Sequence, residues 1–285
     1  INFGLSKKRD CEDMLDELPR KSYHRAAEVF KPLTHHAAIG SILNGLTDSK
    51  VFADNPDEPR CALTWTKSRI FLSGELGDED EQRRVAETIG NKVKLDSINR
   101  GAKHFIVYVD PEIRLLDFFE LLESVKVHLN TRNYYELDAR TREWGEPLRD
   151  GLRLEVIDRQ FLGGSYGNLD QVKEEMRSER SSVEDFLEKS VGVCGLIGDE
   201  IVAWCMSEYN HGGRYEIGIA TVEKHRQRGL ATATADALMR RCLDHGFSRV
   251  GWHCWQRNEP SNRTSHKLGF EFVESYPVYV LDVES

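Results

Sequence analysis

One run constrains this chain more than any other: YEIGIATVEKHRQRGLATATADALMRR, from Tyr215 to Arg241. It starts as a strand, turns through a basic glycine loop and leaves as a helix. Before the turn, Ile217, Ile219 and Thr221 alternate along one strand face. After it, Leu230, Thr234, Ala237, Leu238 and Cys242 recur at helical spacing. A helix start presents backbone N–H groups that lack intrahelical acceptors, at the positive end of the helix dipole. Gly229 lets that backbone approach a ligand, and Lys224, Arg226 and Arg228 surround it with positive charge. This is chemistry for holding a pyrophosphate.

The pattern R-x-x-G-x-A on its own also describes an ordinary turn with solvated arginines. Other phosphate loops are absent, with no G-x-x-x-x-G-K-[ST] and no G-x-G-x-x-G followed by an acidic residue about twenty positions on. The surroundings decide. Arg249 to Trp255 reads as a strand, then come Asn258, Ser261 and a helix-to-strand run, SHKLGFEFV, from Ser265 to Val273.

Strand, R-x-x-G-x-A, amphipathic helix, strand, N-x-x-S and Leu268-Gly269-Phe270 together resemble the GNAT acetyltransferase superfamily. The resemblance is close over about residues 150 to 283 and extends more loosely over the whole chain to the zwittermicin-resistance type of GNAT protein. It implies an acetyl-CoA-dependent N-acetyltransferase that modifies a primary amine of a small molecule, an amino-acid-like metabolite or an antibiotic. It also implies an α+β fold, with a mixed sheet whose loop-bearing strand splays from its neighbour after Glu216. Ala220, Thr221 and Val222 then pair with the pantetheine arm, and an N–H of Thr221 or Val222 polarises the thioester carbonyl. The N–H groups of Gln227, Arg228, Gly229, Leu230, Ala231 and Thr232 hold the pyrophosphate, with Arg226 and Arg228 adding charge. Asn258 donates from the opposite side, or caps the following helix, or does both.

Glu216 stands where many relatives carry the carboxylate that takes the amine proton, and burial tunes such a group toward neutrality. The tyrosine that many relatives place four residues before the glycine of L-G-F is Ser265 here, and serine is a far poorer acid. This departure sustains a rival reading, a non-catalytic acyl-CoA sensor or partner-binding module.

The order strand–helix–strand–helix–strand occurs twice, over Ile70 to Asp138 and Tyr215 to Val283. The expected organisation is a degenerate GNAT-like scaffold at 1–148 and a catalytic domain at 149–285, divided among the turn formers of 144–151. Glu75, Asp78, Glu79, Asp80 and Glu81 stand at the first half's strand–helix junction, where the second half is basic. Like charges repel there, so a pyrophosphate is excluded, and the acids instead suit a helix N-terminus. Helices are expected at Leu5–Leu18, Leu33–Leu46, Asp80–Ser97 and Ile113–Lys126, and a strand at Leu152–Phe161.

At 285 residues, 39% hydrophobic and 31% charged, the chain suits two globular cores. No apolar run reaches membrane-spanning length and no signal pattern opens the chain. The net charge of −9 disfavours a nucleic-acid-binding body and favours a cationic amine acceptor, while a homo-oligomer is left open. Six cysteines without C-x-x-C spacing imply reduced thiols and a cytoplasmic setting. No metal is expected, because His35-His36 lies on an expected helix and His253-Cys254 alternates across a strand, so neither pair offers convergent ligands.

Overall fold

A computed structural model describes residues 14–93, 104–113, 125–142, 144 and 151–283. Most of the helices expected at Leu5–Leu18 and Ile113–Lys126, and of the turn at 144–151, lies outside the described residues. In chain order the strands are β1 (Asp16–Glu17), β2 (Lys50–Ala53), β3 (Cys61–Thr66), β4 (Arg69–Gly74), β5 (His104–Val109), β6 (Val125–Asp138), β7 (Arg153–Val156), β8 (Gly192–Ile197), β9 (Glu200–His211), β10 (Arg214–Thr221), β11 (Arg249–Trp255) and β12 (Glu271–Val283). The α-helices are α1 (Ala37–Leu43), α2 (Glu79–Glu87), α3 (Arg159–Leu162), α4 (Leu169–Glu179), α5 (Val183–Lys189), α6 (Leu230–Asp244) and α7 (Glu259–Lys267). Among the described residues no helix is long and apolar enough to cross a membrane.

The chain forms two compact units. The first comprises the described residues within Ile1–Leu33, Ser49–Leu129 and Val278–Ser285; the second comprises Thr34–Asp48 and those within Asn130–Pro277. In the first, β1 to β4 pair antiparallel in sequence, β4 pairs parallel with β5, and β5 pairs antiparallel with Val278–Asp282 of β12. In the second, β7 to β10 pair antiparallel in sequence, β10 pairs parallel with β11, and β11 pairs antiparallel with Arg132–Asp138 of β6. The two pairing patterns are the same, with α2 and α6 at equivalent crossovers. This α+β architecture is the expected duplicated one.

One feature departs from a simple duplication. β6 follows β5 in the chain yet pairs with β11 in the second unit, while β12 follows β11 and lends its end to β5 in the first. Each unit is therefore completed by a strand from the other half of the sequence. The segment Thr34–Asp48, which carries α1, likewise belongs to the second unit. The boundary expected between 148 and 149 falls outside the described residues.

In the first unit Leu63, Ile70, Leu72, Phe105 and Val107 form a core under α2. The acidic junction there is a helix start: Asp78 caps α2 by accepting from the Glu81 amide at 3.0 Å, and Glu81 Oε2 accepts from the Gly77 amide at 2.7 Å. A side-chain carboxylate thus already occupies the N–H groups that a phosphate would need. In the second unit α6 buries Leu230, Thr234, Ala235, Leu238, Met239 and Cys242, the face expected from helical spacing. Each buried apolar side chain of this kind contributes roughly 1.5–3 kcal/mol. The strand expected over Leu152–Phe161 is shorter, because Asp158 accepts from the Phe161 amide at 2.7 Å and starts α3. Lys50–Ala53 is a strand that alternation alone did not mark, since Val51, Phe52 and Ala53 are all buried. Val125 and Lys126, expected at a helix end, begin β6.

Candidate active site

β10 and β11 pair only at Arg214↔Arg249, Tyr215↔Val250 and Glu216↔Gly251. Beyond Glu216, β10 continues against β9 alone as far as Thr221↔Ala203, while β11 continues against β6 as far as Trp255↔Arg132. The parallel pair therefore opens into a V with Glu216 at its apex. The β9–β10 register is irregular between Arg214 and Glu216, a bulge of the kind that re-aims side chains beside functional sites. The Val222 amide donates to Val202 O at 2.9 Å, across β9. Strand alternation then turns the amides of Ile217, Ile219 and Thr221 toward the open side. Of the two amides expected to reach a thioester carbonyl, Thr221 faces the V and Val222 does not.

The loop after β10 is bent by two left-handed residues, Gln227 at φ 61° and Gly229 at φ 74°. A glutamine held there is unusual, and such backbone clusters at ligand sites. Gly229 is the N-cap of α6, and the first helical bond runs from the Ala233 amide to Gly229 O at 3.1 Å. The amides of Leu230, Ala231 and Thr232 thus stand ahead of the helical ladder, as an anion site requires. The cations are arranged differently from expectation. Lys224 is tied to Glu200 at 2.8 Å, and that ion pair holds the Glu200 carboxyl below its ordinary range. Arg226 Nε reaches back to Thr221 O at 3.4 Å, and Arg228 contacts His225 Nδ1 at 2.9 Å.

Asn258 caps α7, its Oδ1 accepting from the Ser261 amide at 3.2 Å, with Pro260 in the first turn. Ser265 is fully buried, and its hydroxyl donates to Asn262 O at 2.8 Å, so it faces the core. Trp252 is core, edge-on to Phe270, whereas Trp255 is half-buried beneath the Arg132 guanidinium. Cys205 and Cys254 are buried thiols, Cys205 pushed well above its usual range by desolvation.

Glu216 is 9% exposed, and its Oε1 accepts from the Ala37 amide at the start of α1 at 2.6 Å. His253 Nε2 lies 3.6 Å from the same oxygen. His253 Nδ1 is 2.8 Å from the Tyr276 hydroxyl, and its ring stacks on Tyr134 with centroids 4.5 Å apart. His36 stacks on the other imidazole at 4.7 Å. Ligand atoms of His36, Glu216 and His253 all lie within 4.8 Å of one another. The convergence that neither histidine pair offers alone arises from one member of each.

Glu208 stands directly across β9 from Glu216 and is 7% exposed. Its carboxylate lies over Gly218, where an added Cβ would meet Oε1 at 2.0 Å. Spacing did not reveal His36, His253, Tyr276 or Glu208. Only Glu208 had a local signal, an acid inside the apolar strand Glu200 to Tyr209. A separate surface hollow of about 870 Å³, lined by Glu136, Arg142, Arg249 and Phe272 among others, includes none of these site residues.

Similarities to known proteins agree with this geometry. The profile of the family described as GNAT acetyltransferase matches residues 27–279. An uncharacterised N-acetyltransferase of Bacillus subtilis, YdfB, is 26% identical over 270 residues, spanning 93% of this chain and 98% of its own. A GCN5-related N-acetyltransferase-like protein from Streptococcus suis superposes with a TM-score of 0.68 at 22% identity, over 92% of this chain and 98% of that one. A tandem GNAT protein from the clavulanic acid biosynthesis pathway superposes with a TM-score of 0.58 at 10% identity, covering 95% and 99%. These last two likenesses concern the fold.

Proposed function

Since the chain belongs to the GNAT acetyltransferase family, we propose that it is an acetyl-CoA-dependent N-acetyltransferase acting on a primary amine of a small molecule. The observation that carries this reading is the opening of β10 from β11 directly after Glu216. That gap offers unpaired strand edge to a pantetheine arm and leads from the helix-start amides of Leu230 to Thr232 toward a buried carboxylate.

Acyl transfer needs an anchored donor, a polarised carbonyl, a neutral amine and a protonated leaving thiolate. The amides of Gln227 through Thr232 hold the pyrophosphate, and Arg228 adds charge. Thr221, whose amide faces the open side, pairs with the thioester end of the pantetheine and donates to the thioester oxygen, while the backbone of Ala220 is turned to β9. Asn258 serves α7 as its cap and presents its side chain toward the donor from the other wall. Glu216 takes the proton from the attacking amine. Two carboxylates facing each other across β9 and β10 disfavour one another, so a cationic amine is the substrate form that Glu208 and Glu216 attract. Water protonates the departing thiolate, since Ser265 is committed to the helix backbone.

The N-terminal domain, 1–148, serves as scaffold in this reading and 149–285 carries the chemistry, with Thr34–Asp48 supplying a wall of the acceptor side. The five described cysteines are free and buried, which suits a reducing cytoplasm. The looser likeness to zwittermicin-resistance proteins favours an antibiotic or an amino-acid-like acceptor.

A second reading is an acyl-CoA sensor without turnover. It is favoured by Glu216 already being engaged by the Ala37 amide and by Ser265 at the usual tyrosine position. Calorimetry with acetyl-CoA, followed by thiol release over a panel of amines, separates the two. Binding with turnover supports the transferase, binding without turnover supports the sensor, and absence of binding rejects both.

A further inference from the structure

We propose that His36, Glu216 and His253 form a binding site for a divalent transition-metal ion, zinc above all. The three residues supply two imidazoles and one carboxylate, a donor set that suits zinc and leaves a fourth tetrahedral position open. Their ligand atoms fall within 4.8 Å of one another. Zinc at its usual bond lengths holds neighbouring ligand atoms about 3.3 Å apart. Glu216 Oε1 and His253 Nε2 already stand at 3.6 Å. Closing the site on the metal requires up to about 1.5 Å of movement at His36, which a rotation of its ring out of the stack with His253 provides.

The outer shell is in place as well. With the His253 Nδ1 proton donated to Tyr276 O at 2.8 Å, the Nε2 lone pair points to the carboxylate side. The Ala37 amide holds Glu216 Oε1 at 2.6 Å and fixes the carboxylate plane. Glu208, opposite on β9, adds a second negative charge on the same face. The site is sheltered, with side chains of His253 and Glu216 only 6% and 12% exposed, and the V between β10 and β11 gives an entry path beside it. Carbonyl- and carboxylate-preferring ions such as magnesium do not suit two imidazoles.

Metal occupation has a consequence that rests on the proposed transferase role of Glu216. A carboxylate bound to zinc cannot take the amine proton, so the loaded protein is silent in turnover while its loop still binds acetyl-CoA. Chelation restores activity. The binding itself is independent of that role.

The test uses the full chain, freed of metal by dialysis against a chelator, with no acetyl-CoA or amine present. Zinc chloride is titrated in a calorimeter, and cobalt(II) chloride is followed by its visible ligand-field bands. One equivalent of zinc is expected, displacing cobalt with loss of the bands. His36→Gln and His253→Gln should each weaken binding on the order of 100-fold or more, and Tyr276→Phe, which keeps all three ligands, about tenfold. Where a histidine variant fails to melt like the parent by circular dichroism, the tyrosine variant reads the same site. No zinc uptake at sub-millimolar concentrations overturns the proposal. So does one equivalent bound with unchanged affinity in the variants that fold. Failure here leaves the transferase reading intact, and failure of acetyl-CoA binding leaves this site intact.

Discussion

Ala37 and Glu216 lie 179 positions apart, and the amide of the first donates to the carboxylate of the second at 2.6 Å. The donor begins α1, the acceptor sits at the apex of the V, and both belong to the second unit. A segment from the first half of the chain is therefore part of the candidate site. Its amide supplies a hydrogen-bond donor to a carboxylate that is largely withdrawn from water.

Glu216→Gln keeps an oxygen for the Ala37 amide, so the fold should survive and acetyl-CoA affinity should stay near that of the parent. Turnover at neutral pH should fall on the order of 10²-fold or more, because an amide is no base. Part of the loss should return at high pH, where the free amine is abundant. Steady-state rates across pH, with calorimetry for acetyl-CoA, check both halves. Unchanged turnover at every pH would assign the base elsewhere and leave the loop untouched.

Gly229→Val acts on the cofactor side alone. The residue sits at φ 74°, a region that a β-branched side chain occupies only under strain. The new side chain also crowds the amides of Leu230 to Thr232. Each charge-assisted hydrogen bond contributes roughly 1.5–3 kcal/mol, so a tenfold or larger rise in the acetyl-CoA dissociation constant is expected. Gly229→Ala should lie between parent and valine. Equal affinity for all three would remove the loop from the binding site.

The loop was legible because it is local: a change of apolar period from two to helical spacing marks Gly229. The opening of the strands after Glu216 was legible only through the GNAT resemblance, since the apolar pattern of either strand does not fix where their register stops. The first half's acidic junction was legible because it too is local, since Asp78 and Glu81 act within one helix turn. His36 and His253 were not legible. Each looks unremarkable among its neighbours, and only the exchange of segments between the halves brings them to one carboxylate. The same exchange hid the pairing of β6 with β11 and of β12 with β5, because adjacency along the chain favours the simpler duplication.

Gly218→Ala probes the pair of carboxylates. Its Cβ would stand 2.0 Å from Glu208 Oε1, and Glu208 is too buried to swing freely into water. The carboxylate must move, so the variant should melt a few degrees lower, in keeping with about 1–3 kcal/mol for an overpacked site. Acetyl-CoA affinity should hold. The KM for a cationic amine should rise severalfold, and a Glu208→Gln variant should match it. An unchanged KM in both variants would remove Glu208 from acceptor recognition.

Burial governs the thiols. Desolvation pushes Cys61, Cys194 and Cys242 up to about 12. Thiolate is the reactive form, so these groups should resist a thiol reagent at pH 8 in the folded protein and react at once in denaturant. Replacing Cys11 by Ser removes the one cysteine outside the described residues from the measurement. The same shifts make stability depend on pH. Below the ordinary thiol value of 9.0 these cysteines are protonated in both states and contribute no pH dependence. Above it the unfolded chain releases protons that the folded chain retains, so the unfolded state gains and stability falls as pH rises from about 9 toward 12. Denaturant midpoints measured across that range in the Cys11→Ser protein should decline. Replacing Cys242 by Ala should make the decline shallower, since one of the shifted thiols is then gone. A decline of equal steepness in both proteins would place its origin in other groups.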